Sequence, residues 1–135
     1  MRRQMRVLIV TPEYSGHGGG IGTYYRLLAP ALVRAGCSVD VIEGSGFESY
    51  DSPGAGAHDG VSLHRLDRSR VSRWSEQFQH LQATPLLRRM LAGAWASWDQ
   101  ADALGAFDVV ESTDFALMSV PAVMSPRAPV VSQMH

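Results

Sequence analysis

Short apolar runs alternate with amphipathic stretches along this chain, and the alternation predicts strands and helices in turn. Residues 5–11 form an apolar run rich in β-branched side chains and closed by Pro12, the pattern of a buried parallel strand. From Ile21, the apolar positions Tyr24, Leu28, Ala31, Leu32 and Ala35 keep helical spacing, and Gly36 supplies a left-handed stop. Pro30 falls inside this helix, where a missing donor and a ring clash predict a kink. Residues 38–43, with Val39, Val41 and Ile42, read as a second strand, and the Gly, Ser, Pro and Asp of residues 44–60 as a loop. Residues 61–66 alternate apolar with polar, which fits a third strand nearer the sheet edge. Thr84 before Pro85 predicts a helix start capped by a hydroxyl, with Leu87, Leu91, Ala94, Trp98 and Ala101 as its buried stripe. A fourth strand at residues 107–111, a helix capped by Asp114 and running to about residue 124, and a fifth strand at residues 129–134 complete the chain.

This order calls for right-handed crossovers and a single α/β domain: a Rossmann-like parallel sheet with helices on both faces. Ligands of such sheets bind beyond the carboxyl ends of the strands. Polar residues gather there in this sequence. Glu13 and Tyr14 follow the first strand, Glu43 ends the second, Glu111 to Asp114 follow the fourth and His135 follows the fifth.

Composition narrows the chemistry. Twelve basic and thirteen acidic residues give a formal net charge of -1, so nothing draws the chain to nucleic acid. Every basic residue is arginine; with no lysine, a phosphate-loop lysine and a Schiff base are excluded. The Arg, Ala and Gly bias suggests a bacterial source. Cys37 is alone, which removes disulfides and cysteine metal sites, and it reads as a small buried thiol. His17, His58, His64 and His80 keep no metal-ligand spacing. Arg65, Arg68, Arg70 and Arg73 are interrupted by Asp67 and read as a solvated face. The apolar run after the basic start is too short for a signal peptide or a membrane span, so the chain reads as cytoplasmic, with at most peripheral membrane contact.

The segment Gly16-His17-Gly18-Gly19-Gly20-Ile21-Gly22-Thr23 opens the first helix. Glycine lets a ligand approach the backbone, and the first-turn amides suit an anion such as a diphosphate. A connector would have little reason to carry five glycines, since each costs a helix turn about 1 kcal/mol. A nicotinamide-type fingerprint would place its glycines directly after the strand. Here Pro12, Glu13, Tyr14 and Ser15 intervene, and Ile21 stands where the third glycine belongs, although Glu43 occupies the position that holds a ribose hydroxyl in such proteins.

The run Thr11-Pro12-Glu13-Tyr14, the loop Gly19-Gly20-Ile21-Gly22-Thr23-Tyr24 and the return through residues 32–41 resemble the opening of family-four glycosyltransferases. Residues 107–111 and 129–135 are similar to two later landmarks of that family. The resemblance implies the GT-B fold, two Rossmann-like domains facing a cleft. Residues 1–135 would be the N-terminal, acceptor-side domain, incomplete at its C-terminal end and lacking the C-terminal nucleotide-sugar domain. It further implies transfer of a hexose from a nucleotide sugar to an unknown acceptor, with retention of configuration, needing no metal or other cofactor. The chain alone is expected to be inactive. Residue by residue, the resemblance places Gly18, Gly19, Gly20, Ile21, Gly22 and Thr23 at the donor diphosphate and His135 at the reaction centre as the catalytic residue. Glu13, Tyr14 and Asp114 become candidate acceptor contacts, while Glu111, Ser112 and Thr113 stand where many members have histidines. A sheet ending at its fifth strand should expose apolar surface and self-associate through that edge. Two alternatives stand beside this reading: a non-catalytic module that binds an anion or a partner, and a Rossmann NAD- or FAD-binding domain.

Overall fold

Strand β1 (Arg6–Thr11) is apolar or buried on both faces from Val7 onward, which places it inside the sheet with helices on either side. In the computed structural model, residues 3–15, 19–51, 55–125 and 127–133 are described. After β1 come α1 (Gly20–Arg34), β2 (Ser38–Glu43), β3 (Ala55–His58), β4 (Val61–Arg65), α2 (Arg68–Gln77), α3 (Pro85–Leu104), β5 (Val109–Thr113), α4 (Val120–Met124) and β6 (Val130–Gln133). The strand order is β3-β4-β2-β1-β5-β6, parallel throughout except for β3, which runs antiparallel to β4.

The two-residue period of β1 divides the core. Val7 and Ile9 pack with Tyr25 and Ala29 of α1 and with Val39, Val41 and Val61. Leu8 and Val10 face the other way, onto Ile42, Ala94, Trp98, Val110, Met118 and Ala122 beneath α3 and α4. Burying each Val, Leu or Ile contributes about 1.5–3 kcal/mol, so β1 alone anchors both layers. On the second face, α2 packs on α3 through stacked Trp74 and Trp95, with ring centroids 5.7 Å apart.

Several expectations are corrected. Residues 44–60 are not all loop: β3 lies within them and returns to β4 through Asp59 and Gly60, at φ 52° and 79°. Two successive left-handed residues make the hairpin turn whose twist matches its strands. The arginine stretch of residues 65–73 is exposed at Arg65, Arg68 and Arg73, as read, but from Arg68 it forms the first turns of α2, capped by the Asp67 carboxylate, which accepts from the Ser69 N–H at 3.0 Å. Arg68 and Arg70 are paired with Asp51 and Asp99, at 3.0 and 3.1 Å. The Thr84 hydroxyl does not cap α3 but donates to the Leu81 carbonyl at 3.3 Å. The buried stripe of α3 is made of small residues, Ala92, Gly93, Ala94, Ala96 and Ser97 with Trp98 and Ala101, while Leu87 is exposed. The helix expected from Asp114 to about residue 124 is broken at Ala116 and Leu117, whose φ values of 56° and 59° no right-handed helix allows. A short 3-10 turn (Phe115–Leu117) precedes α4 instead. The α1 helix itself is present as expected and continues through Pro30.

Candidate functional site

The carboxyl end of β1 leads into a turn that folds back on itself. Thr11 Oγ1 donates to the Glu13 carbonyl at 2.8 Å and accepts from the Glu13 N–H at 3.2 Å. Glu43, at the end of neighbouring β2 and only 3% exposed, then clamps the turn. Its Oε2 accepts from the N–H groups of Tyr14 and Ser15, both at 2.7 Å, and its Oε1 accepts from Ser15 Oγ at 2.6 Å. Charge-assisted bonds of this length are the strong ones, and they explain how a carboxylate is tolerated in the interior. They also occupy it. Glu43 is a strut for the loop, not a group open to a ribose hydroxyl.

The braced loop delivers the chain to the start of α1. Gly19 holds an extended conformation before the helix, and the Thr23 N–H bonds to the Gly19 carbonyl at 3.3 Å. A Cβ added to Gly19 or Gly20 would meet nothing within 4 Å. At Gly22 it would lie 3.4 Å from Glu13 Cβ and 3.3 Å from the Arg26 guanidinium, so Gly22 is the packing glycine of the three. Arg26 donates to the Tyr14 carbonyl at 2.8 Å and to Thr23 Oγ1 at 3.3 Å, tying the turn to the second helical turn. Glu13 Oε2 accepts from the Gly22 N–H at 3.4 Å. First-turn amides have no partner inside their own helix. With Gly22 and Thr23 engaged, the Gly20 and Ile21 N–H groups have no hydrogen-bond partner among the described residues and stand as donors at the helix end.

Of the predicted acceptor contacts, Glu13 lies beside this helix end and Asp114 is exposed beyond β5. Tyr14, the third candidate, is 2% exposed, its side chain packed in the core under α1, where burial raises its hydroxyl pKa. Asp114 makes no side-chain cap for the turn after it; the Phe115 N–H donates to Thr113 Oγ1 at 3.1 Å. Gly18 and His135 lie outside the described residues. Sequence reasoning noted Glu111 at the end of the fourth strand but gave it no role of its own. Glu111 on β5 is 8% exposed, its Oε1 has no hydrogen-bond partner among the described residues, and burial raises its carboxyl pKa despite a bond from Gln133. Its proximity, after their own burial, helps raise the Tyr24 and Tyr25 hydroxyls as well. An acid within a strand reads as a packing defect unless its neighbours are known, so the signal was present without its meaning. No group of three or more His, Cys, Asp or Glu that could hold a metal ion occurs among the described residues. No helix among them is long and apolar enough to cross a membrane.

Two solved structures share this architecture. One is the catalytic domain of starch synthase IV from Arabidopsis thaliana, bound to ADP and acarbose, at TM-score 0.70 and 16% identity over 98% of this chain and 34% of that one. The other is a sucrose-phosphate synthase from Thermosynechococcus elongatus, at TM-score 0.63 and 14% identity over 98% of this chain and 33% of that one. The chain thus spans about a third of the length of each, and at these identities the likeness is one of fold. Comparison with curated protein sequences finds no match. The profile of the glycosyl transferase 4-like domain matches residues 19–135, from the glycine that opens α1 through β6. With that match over most of its length, the chain belongs to the glycosyl transferase 4-like domain family.

Proposed function

We propose that the chain is the acceptor-side part of a glycosyltransferase that moves a hexose from a nucleotide sugar to an acceptor with retention of configuration. One observation carries the reading. The N-terminus of α1 opens at the carboxyl edge of the parallel strands, with clear space over Gly19 and Gly20 and with Tyr14 and Ser15 held by Glu43.

In this reading the Gly20 and Ile21 N–H groups donate to the donor diphosphate as the glycosidic bond breaks, stabilising charge that develops on the leaving oxygens. Glu13 already shares the Gly22 N–H, so an incoming diphosphate competes with that carboxylate or displaces it. Glu13 and Asp114 are the acceptor candidates that stay accessible, and Tyr14 serves the site through its main chain. His135 is assigned to the reaction centre by the family resemblance alone. The clamp on Glu43 favours this reading over a NAD- or FAD-binding one.

The test is release of nucleoside diphosphate from a panel of nucleotide sugars, measured on the whole gene product and on residues 1–135 alone. Approximation of two substrates across a cleft is a major part of such catalysis. Turnover is expected from the whole product and lost in its Gly20→Val variant, with none from residues 1–135 alone. Ordinary turnover by residues 1–135, or full activity in Gly20→Val, would overturn the reading.

A further inference from the structure

Helices α2 and α3 run antiparallel, tied by the Arg70–Asp99 ion pair at 3.1 Å, by the stack of Trp74 on Trp95 and by a bond from Arg88 to the Ser75 carbonyl at 2.9 Å. At the surface between them lies a groove of about 270 Å³, lined by Arg73, Trp74 and Gln77 of α2 and by Asp99 of α3. Spacings of three and four residues bring Trp74 and Arg73 onto the side of α2 that carries Gln77.

Each lining group is accessible and has bonding capacity to spare. Arg73 and Gln77 are exposed, and their side chains make no hydrogen bond or ion pair among the described residues. Asp99 is 41% exposed; its Oδ2 accepts from Arg70, and its Oδ1 has no partner among the described residues. Trp74 is half-buried, its ring stacked on Trp95 and on Phe78 with centroids 5.7 and 6.2 Å away. Near-parallel rings at that separation overlap only in part, so some of the indole stays open to the groove it lines.

This combination limits what fits. A cation would meet Arg73 and an anion would meet Asp99, so the groove favours a neutral molecule. A hydrocarbon would leave a guanidinium, a carboxamide and a carboxylate desolvated without partners. Around an indole surface, the donors of Arg73, the acceptors of Asp99 and the two-way amide of Gln77 call for hydroxyls on the rim of a ring whose faces are C–H. A sugar ring has that build. A cavity of about 150 Å³ takes a benzene-sized molecule, so this larger one has room for a six-membered ring with its hydroxyls. We propose that the groove between α2 and α3 is a binding site for a neutral pyranose, which lies against Trp74 while its hydroxyls bond to Arg73, Gln77 and Asp99. The site shares no residue with the glycine loop, and it stands or falls independently of the glycosyltransferase reading.

Methyl β-D-glucopyranoside and cyclohexanol are the probes: both are six-membered rings, but the first is ringed with hydroxyls and the second has a single one. Nuclear magnetic resonance of the chain reads both through the Trp74 indole N–H and the Gln77 side-chain amide. The glucoside should shift these signals saturably and bind about tenfold more tightly than cyclohexanol, the net worth of about one hydrogen bond. Gln77→Ala and Arg73→Ala, at exposed positions, should each weaken glucoside binding about three- to tenfold, read at Trp74, while leaving the fold unchanged. Shifts confined to the amides of Gly19 to Thr23, no saturable response at Trp74, equal affinity for the two probes, or glucoside binding unchanged in either variant would each overturn the proposal.

Discussion

Gly93 on α3 faces the loop after β2 so closely that an added Cβ would lie 2.7 Å from both Gly46 Cα and the Ser45 carbonyl carbon. Nearer still is the Gly46 main-chain nitrogen, and a Cβ on Gly46 would in turn strike the Arg89 carbonyl. All of these atoms are backbone, so no side chain can rotate away. Two effects oppose each other in Gly93→Ala. Helix propensity favours alanine by about 0.8–1 kcal/mol. Overpacking a rigid contact costs typically about 1–3 kcal/mol, and with main chain on both sides the upper end applies. The net expectation is a loss of about 2 kcal/mol. At about 2.1 cal/mol/K per residue, 135 residues unfold with about 0.28 kcal/mol/K, so Tm should fall by about 7 °C. Gly20→Ala is the control, since it too is a helical glycine but its Cβ would meet nothing within 4 Å; it should be neutral or stabilising by up to about 1 kcal/mol. Urea unfolding of the two variants separates the effects. Because Gly46→Ala meets the same crossing, the double variant should lose less than the sum of the singles. A Gly93→Ala protein as stable as its parent would refute the close-approach argument.

Glu43→Ala removes an acceptor from three donors at once and should cost about 3 kcal/mol in urea unfolding. Hydrogen-exchange protection of the Tyr14 and Ser15 amides should vanish with it, and retained protection would show that the strut is dispensable. For Glu111, burial raises the native carboxyl pKa above its unfolded value, so the native state prefers the proton. The corresponding stability is present below the unfolded value of about 4.3 and is lost as pH rises through the raised native one. Glu111→Gln should therefore exceed the parent in stability at pH 7, with the gap closing below about pH 4; a less stable variant at pH 7 would contradict this. Val131 on β6 is 42% exposed, and Val123 and Met124 of α4 are more so. Sedimentation should show association that rises with concentration and is weakened by Val131→Lys on the same strand, whereas a parent monomeric at every concentration would oppose it.

The architecture was legible because β1 is apolar on both faces, and only a sheet with helices on either side hides such a strand. The loop at the head of α1 was equally plain, since consecutive glycines at a helix start have few structural uses. Other elements were obscured by competing signals. The Asp59-Gly60 hairpin turn was readable, but β3 before it is Ala, Gly and Ala, without the bulky residues that mark a strand. The α2 helix buries no residue completely, so the apolar stripe of a helix was missing; its Asp67 cap and its Trp74 stack on Trp95 hold it instead. The α3 stripe was drawn through its large residues, whereas the tight crossing at Gly46 selects the small ones. At the site, the spacing of Glu43 suggested a ligand contact, and only the fold shows its oxygens turned to the Tyr14–Ser15 backbone. Tyr14 follows the same logic: its place past a strand end suggests a binding role, and that its side chain packs in the core is visible only in the fold.

The central claim is that the open N-terminus of α1 receives a diphosphate, and amide chemical shifts during titration with ADP or UDP test it most directly. A helix end contributes about 0.3–2 kcal/mol to an anion, and a few charge-assisted hydrogen bonds bring the total near 4 kcal/mol. That corresponds to a dissociation constant on the order of millimolar. The account predicts saturable shifts at Gly19, Gly20, Ile21, Gly22 and Thr23, absent from Gly20→Val, whose side chain would fill the space above the helix end. Stationary amides at tens of millimolar nucleotide, or a response centred on another surface, would contradict it.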